Sequence, residues 1–209
     1  MSQTWWRRNR LWLALLLPSL ALALAASAFR LTSLYLPYEW SAPTVPGGTA
    51  GTLTQRFLGF DDERHTRRVG VTVVDVEQTP KLDGSAAIDG ATLWRVELEF
   101  TAAPDQLLAG PCTIQLKGDD GAHYGYSGGR TAADPDDPTY FPPVMAPGCV
   151  PPETPGPDIE PYTGELVAAK TPRPETWRVT TSMVLPSSVT PVEVRVGWTP
   201  PEHLVLALP

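Results

Sequence analysis

The chain has 209 residues, with 16 Lys+Arg, 23 Asp+Glu, 24 Pro, 17 Gly and 2 Cys, which leaves room for one medium domain plus an anchor or address segment and excludes a large multidomain enzyme. Charged residues make up 19% and mean hydropathy is near zero, so general disorder is excluded and a core can be buried. Four of the 16 basic residues (Arg7, Arg8, Arg10, Arg30) and one of the 23 acidic residues (Glu39) precede Ser41, so the remainder carries a net −10. An acidic body argues against nucleic acid as a partner, because phosphate binding draws on clustered Lys and Arg.

The first element is apolar. Leu11 to Phe29 runs nineteen residues without a charge, about the length that spans the hydrocarbon layer at roughly 1.5 Å per residue. Arg7, Arg8 and Arg10 precede it, which is expected to keep that end in the cytoplasm and place the chain beyond Phe29 outside. Two readings compete. Ala26-Ser27-Ala28 has the small-x-small form of a signal-peptidase site, which would release a secreted protein after Ala28. Trp5, Trp6 and Trp12 at one end, and Tyr35, Tyr38 and Trp40 at the other, form the aromatic belts of a retained anchor, the preferred reading. The organisation expected is a basic cytoplasmic tail at 1–10, a membrane helix at 11–29 and an interfacial segment with a Pro/Gly linker at 30–52. The exported domain occupies 53–209.

Within that domain the periodicity is two, as in half-buried strands. Leu53 to Phe60 and Val69 to Glu77 read as strands joined by the charged turn 61–68. Trp94, Val96, Leu98 and Phe100 alternate with Arg95, Glu97 and Glu99. Cys112, Ile114 and Leu116 lead through the turn Gly118-Asp119-Asp120-Gly121 into His123-Tyr124, a hairpin. Residues 132–175 are proline-rich and read as a long loop, since proline blocks both helix and central strand. Trp177, Val179, Thr181, Met183 and Leu185 form one inward face, and Val192, Val194, Val196 and Trp198 another; Leu204, Leu206 and Leu208 close the set. Short strands joined by Gly/Pro turns, with no long helical period after residue 40, predict an all-β antiparallel β-sandwich. Cys112 and Cys149, the only cysteines of an exported chain, are expected to form one disulfide that staples the proline-rich segment.

On Leu93–Phe100 (LWRVELEF), Cys112–Gly121 (CTIQLKGDDG), Trp177–Pro186 and Val192–Trp198, the domain resembles the immunoglobulin-like ectodomains of single-pass bacterial envelope proteins, many without assigned function. The resemblance is architectural and implies the sandwich, not a catalytic or binding motif. Cys112 follows Trp94 and Cys149 falls in the proline-rich loop, a different order from the Cys, Trp, Cys of true immunoglobulin domains.

Gly125–Gly129 (GYSGG) fits the G-x-S-x-G pattern of serine hydrolases, with His203 downstream. That motif works on a strand that turns sharply into a helix, and Arg130–Pro135 offers no helix, so a hydrolase using Ser127 is the lesser alternative. His65, His123 and His203 share no ligand spacing, and neither Asp119-Asp120 nor Asp134, Asp136 and Asp137 has the pattern of a calcium loop. No catalytic residue, cofactor or metal is expected. The function expected is a membrane-anchored, non-catalytic binding or scaffolding domain of the cell envelope. Its candidate partner-binding residues are Tyr124, Tyr126, Tyr140 and Phe141 around the Cys112–Cys149 loop, because aromatics on a stapled loop give contact area at low ordering cost. The partner is an envelope protein or ligand that the sequence does not name.

Overall fold

The computed structural model of the chain describes residues 3–82, 85–86, 89–125 and 148–209. Helix α1 (Gln3–Arg30) runs 28 residues with Pro18 inside it, and one π turn (Leu31–Tyr35) and one 3-10 turn (Leu36–Tyr38) continue it. Its stretch Arg7–Ser33 is long and apolar enough to cross a membrane and is 0% buried in the protein. The exposed apolar side chains suit lipid as solvent, where every backbone group must be satisfied within the helix.

The rest is a β-sandwich. Strands β1 (Ala42–Thr44), β2 (Ala50–Leu58), β3 (Arg64–Gln78), the two-residue pair β4 (Lys81–Leu82) and β5 (Ser85–Ala86), and β6 (Ala91–Thr101) come first. They are followed by β7 (Thr113–Gly118), β8 (His123–Gly125), the short β9 (Asp158–Ile159) and β10 (Leu166–Val167), β11 (Thr176–Pro186), β12 (Pro191–Gly197) and β13 (Glu202–Ala207). One sheet has the order β1-β13-β12-β7-β8 and the other β11-β6-β3-β2. All neighbours are antiparallel except β1, which lies parallel to β13 with Ala42 opposite Glu202.

The alternating residues behave as the period of two requires. Val96, Leu98, Phe100, Trp177, Val179, Met183, Leu185, Leu204 and Leu206 all enter one core between the sheets. At its centre Phe100 stacks on Trp177 (centroids 5.8 Å apart, planes 9° apart) and meets Trp198 edge-on, arrangements that add to area burial. The outer face of the second sheet is charged instead. Arg95 bonds Asp75 at 2.6 Å and Glu77 at 2.9 Å, and Arg178 bonds Glu97 at 2.8 Å. Such exposed pairs add little stability and keep the face solvated.

Two expectations are corrected. The charged turn is shorter than 61–68, because β3 begins at Arg64 and faces Arg67 inward, where a charge on a strand ordinarily reads as outward. Val192 is exposed rather than in line with Val194 and Val196, since a bulge at Pro191/Glu193 shifts the register by one and a one-residue slip turns a side chain to the other face. The segment 30–52, expected as an interfacial stretch with a Pro/Gly linker, also holds β1 and the start of β2.

The chain is fastened where it enters. Trp40 lies over Gly197, where a Cβ would come within 2.6 Å of its ring, and meets the His203 ring edge-on at 5.8 Å. Ala42 N–H donates to the Pro201 carbonyl at 3.0 Å. His203 is 2% exposed and its ring bonds the Pro201 carbonyl at 3.2 Å. A carbonyl only accepts, so Nδ1 carries the proton. Burial pushes the His203 imidazole below its ordinary 6.5, helped by Arg195 and opposed by the Pro201 carbonyl. The unfolded chain therefore takes up this proton at higher pH than the folded one, and stability present above about pH 6.5 is lost as pH falls below it. His123, lowered mainly by burial and then by Arg195 and Lys117, acts in the same direction. The melting midpoint is expected to drop by a few degrees between pH 7.5 and 5.5, and His203→Gln to flatten that slope. An unchanged slope in His203→Gln would assign the loss to His123.

Candidate functional site

One end of the sandwich gathers the β2–β3 hairpin tip, the segment between β6 and β7, and residues 148–175. The disulfide Cys112–Cys149 is formed, with Cα atoms 5.8 Å apart. It joins the start of β7 to the proline-rich segment, as expected, rather than linking facing strands. Trp177 Nε1–H donates to the Cys149 carbonyl at 2.8 Å, which fixes the staple to the core.

Arg173 organises the loops. It is 1% exposed and donates to the carbonyls of Pro155 (2.8 Å), Ala103 (2.8 Å) and Gln106 (3.1 Å), with its guanidinium over the Trp177 ring. Burial pushes its pKa down, with Asp105 opposing. Gly156 beside it has φ +91°, and a Cβ there would strike Nη1, so glycine is required on two counts.

The hairpin tip is built from its own short bonds. Gly59 N–H donates to the Glu63 carbonyl at 2.9 Å, Glu63 N–H to Asp61 Oδ1 at 3.1 Å, and His65 Nε2 bonds Asp61 Oδ2 at 2.8 Å. Burial raises the Asp61 carboxyl, but the Glu63 N–H and His65 outweigh it and hold the group below its usual range. The ribbon β9–β10 leans on this tip, with Ile159 buried and Gly164 at φ +71°, where a Cβ would lie 2.9 Å from the Phe60 carbonyl. Asp61, Glu63 and His65 bring three potential ligand atoms within 4.8 Å of one another. No metal ligands were expected from the sequence. The Asp-x-Glu-x-His spacing was the signal present, and the tight turn at Asp62 (φ 59°) before β3 is what brings the three side chains together. The imidazole is already partnered by Asp61, so the cluster satisfies itself.

Beside the cluster runs a groove of about 780 Å³, walled by Pro104, Leu107, Pro157, Leu166 and Pro172, with Asp61, Glu63 and Asp105 on its rim. Tyr162 is 95% and Leu166 66% exposed, and Leu58, Phe60 and Val167 are also open to solvent. An apolar trough with a few convergent polar groups is the usual form of a binding site.

Of the expected partner-binding residues, Tyr124 is set apart from this end. It lies by the β7–β8 turn, packs against the core and donates its hydroxyl to Asp120 at 2.6 Å. That bond lowers the Asp120 carboxyl and raises the Tyr124 phenol. Tyr126, Tyr140 and Phe141, like Ser127 and the 134–137 aspartates, lie outside the described residues.

No family model matches the chain, and no curated protein matches it. Two solved structures are similar at low level. One is MPT63, a secreted protein from Mycobacterium tuberculosis, at 11% identity, covering 80% of this chain and 98% of that chain with a TM-score of 0.34. The other is an uncharacterized β-sandwich protein from Clostridium difficile 630, at 14% identity, covering 82% and 96% with a TM-score of 0.33. The β-sandwich assignment stands on the strand order and register.

Proposed function

We propose that the chain is a membrane-anchored, non-catalytic binding domain of the bacterial cell envelope, of the immunoglobulin-like kind, with α1 retained in the cytoplasmic membrane and the sandwich outside. The observation that carries the reading is the apolar groove at the loop end, on a domain preceded by an unpacked apolar helix. Its acidic rim and the net −10 beyond Ser41 favour an extended partner segment that is apolar with Lys or Arg beside it, and make binding salt-sensitive. Both cysteines are in the disulfide, Asp61 holds the His65 ring and the Pro201 carbonyl holds the His203 ring, and Ser127 of the lesser hydrolase reading lies outside the described residues.

Leu166→Glu is expected to abolish capture of the partner by crosslinking in intact cells while leaving the melting midpoint within error, because a charge replaces an exposed side chain. Unchanged capture by that variant would remove the groove from the reading. Retention is tested by alkaline extraction with an intact-mass measurement. A full-length species in the membrane pellet supports the anchor, whereas a soluble species beginning at Phe29 gives the secreted alternative.

A further inference from the structure

A second cavity, of about 390 Å³, lies on the other side of Leu107 from the groove and is walled by Phe57, Phe60, Leu107, Pro111 and Ile159. Arg67 forms part of its lining. Its presence there is anomalous for a core position. Arg67 is 5% exposed; among the described residues no carboxylate pairs with it, and its buried Nε has no hydrogen-bond partner. Its contacts are the face of Phe57, 3.7 Å from the guanidinium carbon to the ring centroid, and more distantly the Trp198 ring at 5.8 Å. Gln55 stands opposite it in the β2–β3 register, donating its amide N–H groups to the Thr199 and Glu202 carbonyls, while its buried Oε1 makes no hydrogen bond to Arg67 or to any other described residue. Asp158 is on the cavity rim without pairing to Arg67, its Oδ1 accepting the Ile159 N–H at 2.8 Å. Burial alone pushes the Arg67 pKa down to about 10, so the group is still a cation at neutral pH.

Buried charges are ordinarily paired, because an isolated one is costly. Arg173, the other buried arginine among the described residues, keeps that rule with three carbonyls. A cation left with aromatic rings and a cavity is complementary to a ligand anion with an apolar body. The fork of donors suits a planar two-oxygen head, and the cavity lies within the roughly 300 to 1,000 Å³ of small-molecule sites. We infer that this cavity binds a small amphiphile through its anionic head, a carboxylate on an apolar chain, with Arg67 as the counter-ion and Phe57, Phe60 and Ile159 around the chain. The site is separate from the groove and goes beyond the binding role assigned to it.

The test uses the full chain in phosphatidylcholine nanodiscs, titrated calorimetrically with octanoate and with octanol, empty nanodiscs being subtracted. Octanoate is expected to bind at least about tenfold more tightly than octanol, since the charge-assisted pair belongs to the acid alone. Arg67→Leu is expected to lose that difference and to keep or raise the melting midpoint, because removing an unpaired buried charge relieves its desolvation. Arg67→Lys should fall between, keeping the charge without the fork. Leu166→Glu should bind octanoate as wild type does, so a failed groove and a failed cavity are told apart. Phosphatidylglycerol added to the nanodiscs distinguishes the sources: weaker apparent octanoate binding assigns the natural ligand to a bilayer lipid head, and unchanged binding to a free acid. Equal affinities for octanoate and octanol, wild-type octanoate binding by Arg67→Leu, or no heat at millimolar octanoate would each overturn the inference.

Discussion

Arg173→Ala is expected to destabilise the domain by about 3–5 kcal/mol, since it strands up to three carbonyls at about 1–3 kcal/mol each, offset by water entering the loops. The three acceptors belong to two separate segments, Ala103 and Gln106 after β6 and Pro155 after the disulfide. The side chain therefore substitutes for a strand pairing that the prolines there cannot supply. The melting midpoint should fall by roughly 10 °C for a domain of this size, read by near-ultraviolet circular dichroism through Trp177, over which the guanidinium lies. Arg173→Lys should recover less than half, because a single ammonium cannot reach three divergent carbonyls. A fall below about 1 kcal/mol in Arg173→Ala would mean that water replaces the guanidinium fully.

Removing the disulfide is expected to cost about as much by a different route. The bridge closes a sequence separation of 37, for which chain-entropy bookkeeping gives about 4 kcal/mol. The Cys112→Ser/Cys149→Ser double variant, and wild type under reductant, should show the same shift in urea midpoint. The two effects should not be additive. The Cys149 carbonyl is held by Trp177 and the Pro155 carbonyl by Arg173, so each change loosens the segment that the other still restrains. A combined loss equal to the sum would show that bridge and guanidinium act on independent loops.

The strands were legible because most of them are half-buried and alternate cleanly. Trp177 to Leu185 and Leu93 to Phe100 even pair with each other, in one unbroken antiparallel register. Legibility failed where an inward position holds a polar group. Gln55 and Arg67 face each other inside the end of the sandwich, and their polarity displaced the predicted turn. The pairing of β1 was also hidden. Three residues, one of them proline, carry no strand pattern, and a parallel partner some 160 positions away is a non-local choice that no window contains. The disulfide followed from compartment arithmetic, and the loop end it marks does hold the cavities. The cavities themselves were unreadable, because their walls come from residues 57–67, 104–111 and 157–172 together. Arg173 gave no signal at all among its flanking prolines.

The clamp of Trp40 over Gly197 sets the reach of the domain. Only four residue steps separate Tyr38 from Ala42, about 14 Å when fully extended, and Ala42 enters beside Pro201, at the end that carries the groove and the cavity. Under the proposed anchoring of α1, that end would be leashed to within a headgroup layer or so of the bilayer, with the opposite end outward. On that proposal a partner would have to be presented in cis, by a neighbour in the same membrane or by the bilayer itself, and a target at the distance of the cell wall would lie beyond the tether.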